Sequence, residues 1–369
     1  MINPLTRIAC LVLMSVAAGA GQSADLFPFG ATRVDLETDG LFSGDIKIVT
    51  SRVAFEQSRG AWRFRGRLTR TDHRVDYTPT FVTSPATRRE DAHSIDLLIE
   101  RTLSSRWSLI GTVAYGQGFT DHRSIWISEF YDQSNQFDPD YRVADPGFFS
   151  GSLALQWNYD PGRSFVSLTF SQADTEIVPA WEIDFDPLTG NATLFSTDET
   201  LRTFSGSLVW NAAITRRLRM QQTLRIGRTD TRRIRTQFQS EAAFAFNDRL
   251  TLRLQAGGAH EDPTLIARYG GASLVCDLNV NLQLSLSYRY YEDTGEVNTS
   301  NFNTAAPGLA SREASMGVRW DKGTTTILAS VGFYQTDYES VLGSGNVFFT
   351  GLYQDRTFTA ARLAVTFRF

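Results

Sequence analysis

The stretch that decides the fold is the last one, Arg356-Thr357-Phe358-Thr359-Ala360-Ala361-Arg362-Leu363-Ala364-Val365-Thr366-Phe367-Arg368-Phe369. On an extended strand successive side chains point to opposite faces, so residues two apart share a face. Ala361, Leu363, Val365, Phe367 and Phe369 then lie together, and Arg362, Ala364, Thr366 and Arg368 lie on the reverse. One face is apolar to its last residue and the other carries charge. A strand that buries one face reads this way, in a soluble sandwich or in a closed sheet whose outside meets lipid.

The same period recurs upstream. Leu153, Leu155, Trp157 and Tyr159 alternate with Ser152, Ala154, Gln156 and Asn158, and the next segment sets Val166, Leu168 and Phe170 against Ser167, Thr169 and Ser171. Leu282, Leu284, Leu286, Tyr288 and Tyr290 oppose Gln283, Ser285, Ser287 and Arg289. Aliphatic residues hold the middle of each segment and aromatic ones its ends, as amphipathic rings do at two membrane interfaces. Alternating segments begin near Phe29, Gly44, Ala61, Ala92, Arg106, Phe148, Ser164, Thr200, Leu218, Arg233, Leu250, Ala267, Asn281, Ser311, Thr324 and Asp355. That makes about sixteen strands, with fourteen as the alternative because the first segment is weak. A sandwich accounts for neither sixteen evenly spaced segments nor a terminal phenylalanine.

The connections are asymmetric. Short turns fall at Ser58-Arg59-Gly60, Ser104-Ser105, Asp160-Pro161-Gly162-Arg163, Thr215-Arg216-Arg217, Asn247-Asp248-Arg249, Leu278-Asn279-Val280 and Lys322-Gly323, with residues that suit hairpins. Long polar connections, roughly Arg74 to Asp91, Thr120 to Gly147, Thr175 to Glu199, Asp293 to Ala310 and Thr336 to Gln354, lie on the other rim. Gly40 to Asp45 reads as a short loop. The aromatic-rich connection from Phe119 to Phe149 is the candidate to fold inward as a constriction.

At the other end of the chain, Arg7, the apolar run Ile8 to Val16 and the small residues Ala18-Gly19-Ala20 form an export signal, cleaved after Ala20 or Ala24. Residues 1–24 are thus expected to be removed, leaving 25–369 as a single domain. No stretch supplies the roughly 20 apolar residues of a membrane helix. Signal, alternation, turn asymmetry and terminal aromatic together resemble the Gram-negative bacterial outer-membrane β-barrel proteins, porin-like in type, with no specific family singled out. The resemblance implies an all-β fold, a transmembrane antiparallel up-and-down β-barrel with short periplasmic turns and long extracellular loops. It also implies export to the bacterial outer membrane and contact with outer-membrane lipids and lipopolysaccharide. Insertion would be by the barrel-assembly machinery, with Phe367 and Phe369 as the C-terminal signal.

Composition fits. The net charge of −4 is too mild, and of the wrong sign, for a nucleic-acid partner. A mean hydropathy of −0.22 looks soluble, but a barrel averages out this way because half of each strand faces a wet lumen. Cys10 falls in the signal and Cys276 stands alone, which leaves no disulfide or redox pair, and no cofactor motif occurs. Asp184-Phe185-Asp186-Pro187-Leu188-Thr189-Gly190 lacks the glycine and terminal glutamate of a calcium loop, so no metal site is assigned.

If the apolar face meets lipid, parity turns Arg63, Arg65, Arg67, Arg219, Arg225, Arg235, Arg253, Arg289, Arg319, Arg362 and Arg368 inward, with Asp96, Glu100, Glu241, Asp277, Glu313 and Asp321. The arginines outnumber the acids, and such a wall favours anions in a water-filled pore. The competing reading is that arginines and acids pair across strands and fill the wall. Of four histidines, His73, His122 and His260 neighbour acids at strand ends, yet adjacent residues on a strand face opposite ways and form no dyad by themselves. Neither a G-x-S-x-G elbow nor an H-E-x-x-H motif is present, and the chain is not expected to be an enzyme. The first expectation is a passive channel or transport component for small polar solutes, anions favoured. The second is a structural or envelope-assembly barrel with a blocked lumen, and the third an outer-membrane lipase or protease.

Overall fold

The computed structural model describes residues 32–77, 86–135, 145–177, 182–185, 192–195, 199–229, 234–261, 265–295, 297–299, 302–339 and 351–369. The expected signal, 1–24, and the expected first-strand start at Phe29 lie outside them, as does most of the 184–190 stretch. The strands are β1 Arg33–Phe42, β2 Ile46–Arg59, β3 Trp62–Tyr77, β4 Ala86–Thr102, β5 Trp107–Gln117, β6 Gly147–Asp160, β7 Ser164–Ile177, β8 Glu182–Phe185, β9 Ala192–Phe195 and β10 Glu199–Ala213. They continue with β11 Leu218–Thr229, β12 Ile234–Ala245, β13 Leu250–Glu261, β14 Leu265–Asn279, β15 Leu282–Asp293, β16 Val297–Thr299, β17 Phe302–Ala305, β18 Leu309–Lys322, β19 Thr325–Tyr338 and β20 Arg356–Arg368. One helix, α1 His122–Asn135, follows β5.

Sixteen of these strands close a single antiparallel barrel in chain order, and β8-β9 and β16-β17 are separate hairpins in two of the long loops. Closure is made by the first and last strands, Val34 opposite Phe367 and Phe42 opposite Thr359. Closing the sheet removes every edge, the condition for strands to cross a bilayer with all backbone groups paired. A soluble sandwich is thereby excluded. Several strands outrun the expected bounds. β3 and β4 pair as far as Tyr77 and Ala86, so much of the supposed 74–91 loop is strand, and β1 runs through Phe42 where a loop from Gly40 was expected. Polar residues sit on both faces of these strand ends, which breaks the alternation without breaking the ladder.

The outside carries the apolar surface. Phe64, Leu68, Ile95, Leu97, Val113, Leu153, Leu168, Leu208, Leu224, Leu254, Leu286, Met316 and Val331 are exposed there. Toward the short-turn rim the face ends in Trp62, Trp107, Trp157 and Trp320. Trp107 and Trp157 stack at 6.2 Å, and the Arg101 guanidinium lies 5.0 Å above the Trp62 ring. In a water-soluble protein this belt would be an aggregation hazard. In a bilayer it is the solvent-matched surface.

The buried apolar cluster is not between sheets but inside the long-loop mouth. Ile46, Val75 and Phe358 come from the inner wall and pack with Phe119, Ile125, Trp126, Ile127, Ala306, Leu352 and Tyr353 from the long connections. Leu41, Ile48, Tyr334 and Tyr338 complete it.

Candidate functional site

The inward turn of the chain that carries α1 begins at Gly118. Its φ of +92° is the left-handed region that side chains avoid, and a Cβ there would lie 2.4 Å from the Asp91 carbonyl oxygen. Asp121 then caps the helix, its carboxylate accepting the Arg123 backbone N–H at 2.9 Å. Ser124, Ile125, Trp126, Ile127 and Ser128 are consecutive and all buried, so the first turns of α1 are covered on every side. The expectation that this connection folds inward is met, with a helix where none was anticipated. A helix enclosed all round has no single apolar face for the sequence to display.

Two arginines fasten this plug. Arg88, inward on β4, donates to Glu90 at 2.6 Å, to Glu129 of α1 at 2.9 Å, and to Asp132 of α1. Arg356, inward at the head of β20, donates to Asp45 in the β1–β2 turn at 2.9 Å and to the carbonyls of Leu352 at 2.5 Å and Gly351 at 2.6 Å. Its guanidinium also lies 5.7 Å from the Trp126 ring centre. Burial raises the Asp45 carboxyl, but the Arg356 and Ser43 hydrogen bonds outweigh it and hold the group below the usual carboxylate range. Around Asp121 the balance is similar: burial raises it, and Arg123 and His122 pull it well below its ordinary value. His122, 3.4 Å from Asp121, is pushed down to about 4 by burial, with Arg123 and Arg356 adding to that against the pull of Asp121. Its ring lies 6.4 Å from that of Phe358. His73, inward on β3, is buried with neither ring nitrogen in hydrogen-bonding geometry. Asp72 faces out beside Arg70, so these neighbours form no dyad. His260 and Glu261 also point opposite ways, Glu261 pairing with Arg235 inside.

Below the plug lies a water-accessible chamber of about 730 Å³ whose lining includes Arg219, Gln221, Glu241, Arg253, Gln255, Ser273, Gln283, Ser285, Ser287, Arg289, Ser315, Arg319 and Arg362. A second space of about 370 Å³ shares Ser287, Arg289, Ser315, Ser330 and Arg362 with it and reaches Leu41 and Ile48 under the plug. α1 and the residues packed on it touch β1 to β4, β19 and β20, whereas the chamber runs along β10 to β20. Among the described residues the mouth is thus narrowed from one side.

The arginines named from sequence all sit on the face opposite the apolar belt, and they divide into two groups. Arg63 bonds Glu100 at 2.7 Å, Arg67 bonds Asp96 at 3.1 Å, Arg235 bonds Glu261 at 2.8 Å, and Arg319 bonds Asp321 at 2.8 Å. Arg362 bonds Glu37 at 3.0 Å, Arg65 lies 3.7 Å from Asp35, and Arg289 lies 3.9 Å from Glu313. Arg219 instead donates to the Asn211 amide oxygen at 3.0 Å and Arg225 to the Ser205 hydroxyl at 3.1 Å, and Arg368 bonds the Thr326 hydroxyl at 3.2 Å. Among the described residues no carboxylate comes within 4.0 Å of Arg219, Arg225 or Arg253. Pairing therefore fills part of the wall and leaves β11 and β13 open.

The expected excess of positive charge needs correction. Asp35, Glu37, Asp39 and Glu56 also face inward and were missed, as were Arg52 and Arg88. Leu36, opposite the outward Val53, fixes the parity of β1, which the weak first segment had obscured. Positive charge is concentrated on β11 and β13 rather than spread around the wall. Phe367 and Phe369 are on the outward side at the short-turn rim, Phe369 exposed.

No family description matches the chain, and no curated protein matches it in sequence. Solved structures do. CdiB from Acinetobacter baumannii superposes with a TM-score of 0.55 at 9% identity, over 91% of this chain and 60% of that one. The chain has the fold of a bacterial outer-membrane β-barrel. The Pseudomonas putida toluene transporter TodX is 10% identical over 96% of this chain and 93% of its own, with a TM-score of 0.43. A bacterial polysaccharide outer membrane secretin is 9% identical over 92% and 99%, with a TM-score of 0.48.

Proposed function

We propose that this barrel lies in the outer membrane and is a passive channel for small polar solutes, with anions favoured. The observation that carries the reading is the chamber beneath the plug, whose inward side chains are mostly polar and include five arginines against Glu241. Sixteen strands suit an aqueous lumen, which side chains alone do not fill. Charged groups on such a wall stay solvated at little cost and bias the local concentration of ions. Selection would be electrostatic, by Arg219, Arg225 and Arg253, while Arg63, Arg65, Arg67, Arg235, Arg289, Arg319 and Arg362, next to acids, contribute less field. No bond in the solute is made or broken.

The blocked-lumen reading has its own observation, the apolar seal of Phe119, Ile125, Trp126, Ile127 and Leu352 in the mouth. Liposome swelling separates the two. Vesicles carrying the full barrel should swell in isosmotic solutions of small polar solutes, faster for anionic than for cationic ones of equal size. No swelling, in vesicles where the barrel is folded and inserted, would favour the blocked lumen.

A further inference from the structure

We propose that Arg219 and Arg253 form one binding site for an oxyanion group, a carboxylate, phosphate or sulfate, within the chamber. The site rests on the channel reading for its purpose, but binding at it does not require flux.

The argument starts from register. Arg219 on β11 is opposite Ala243 on β12, and Ala243 is opposite Arg253 on β13. Two arginines therefore stand on either side of a single methyl group, about 10 Å apart at the backbone from two strand spacings. Their flexible stems can bring both guanidinium groups to one point over Ala243, where no side chain intervenes. Two cations held this close repel unless an anion joins them, and among the described residues neither has a carboxylate within ion-pair distance. Glu241, the nearest acid along β12, accepts from the Gln239 amide at 2.5 Å instead.

Arg219 is also oriented. Its Nε donates to the Asn211 amide oxygen at 3.0 Å, and the Asn211 amide nitrogen donates to Gln221 at 2.9 Å. Asn211 is 6% exposed, so the relay is fixed in the wall. This neutral acceptor leaves the charge of the fork uncancelled and its terminal N–H groups available, but it lies on β10, so meeting Arg253 over Ala243 takes a swing of Arg219 off Asn211 when the ligand binds. The row continues from Arg253 to Ser273, Ser287 and Ser315 on the next three barrel strands. Ser273, next to Arg253, is the nearest of these hydroxyls, while Ser287 and Ser315, 2.6 Å apart, extend the polar wall beyond the site. A planar fork matches two oxygens at once, which is why arginine rather than lysine suits the place.

Calorimetry of the full barrel in detergent micelles, with inorganic phosphate as probe, tests the site directly. Arg219→Gln and Arg253→Gln should each weaken phosphate by about tenfold, as loss of a charge-assisted hydrogen bond does. Arg63→Gln with Arg67→Gln, whose arginines are paired to Glu100 and Asp96, should change it less than twofold. Where a glutamine variant does not fold, Arg219→Lys with Arg253→Lys keeps the charge and loses the fork, and phosphate should still weaken. Equal losses in the Arg63 and Arg67 variant would mean a diffuse field and overturn the site. Phosphate binding without bilayer conductance would sustain the site and sink the channel; conductance without phosphate binding to the native barrel would do the reverse.

Discussion

Replacing Arg88 by methionine keeps the apolar stem and removes the guanidinium that ties α1 to the wall. Three carboxylates depend on it, Glu90, Glu129 and Asp132, and the arginine side chain is only 11% exposed. Breaking a buried ion pair from one side costs about 3–5 kcal/mol, because each surviving charge loses a partner while it stays out of water. Glu129 and Asp132 are 17% exposed and gain water if α1 lifts, so the low end applies, about 3 kcal/mol against docking. That is about a hundredfold in the ratio of docked to lifted plug. Trp126, on α1 itself and 5% exposed, reports it: acrylamide quenching should rise in Arg88→Met, and the rise should vanish when Trp126→Phe is added. Adding Glu129→Gln and Asp132→Asn to Arg88→Met should recover most of the protection, since removing both sides of a pair is far less costly than removing one. Unchanged quenching in a folded Arg88→Met barrel would refute the tether.

Three further outcomes follow from the plug. Gly118→Ala forces a side chain into a left-handed backbone and against the Asp91 carbonyl, and should cost about 1–3 kcal/mol of plug docking, seen as higher Trp126 quenching with the barrel's circular dichroism intact. His122 titrates near 4 when docked and near its ordinary 6.5 when free, so the docked plug binds fewer protons. The contribution of His122 to docking is then fully present above about pH 6.5 and falls by about 1.4 kcal/mol per unit as pH drops toward 4, a trend that His122→Gln should flatten in the same quenching assay. His73→Leu removes a buried ring that makes no well-formed hydrogen bond, with the Phe119 backbone beside it, and should leave docking unchanged or slightly firmer, whereas a marked loss would show that the Phe119 contact holds the plug.

The strands were legible because their chemistry is local. Leu282 to Arg289 alternates by itself, and parity read from it correctly turned Arg289 inward. Every barrel strand was found near its place, with β4 starting at Ala86 rather than near Ala92 because Arg88 and Glu90 look like loop residues until the plug that they serve is seen. The plug was legible only as a long aromatic connection. Its strongest trace lay elsewhere, in Ile46 and Ile48 facing in while Val49 faces out: a strand apolar on both faces is covered on both. The charge pattern was the least legible part. Whether an inward arginine is paired depends on cross-strand register, as with Arg63 opposite Glu100 and Arg219 opposite Ala213, and register is set by the whole barrel rather than by any one segment.

The central claim, an arginine-biased aqueous channel, meets its most direct test in single-channel recording of the purified barrel in a planar bilayer under a potassium chloride gradient. Stepwise conductance with a reversal potential on the chloride side is the expected result, moved toward zero by Arg219→Gln with Arg253→Gln. A folded, inserted barrel with no conductance steps would contradict the channel, and a reversal potential on the potassium side would contradict its arginine bias.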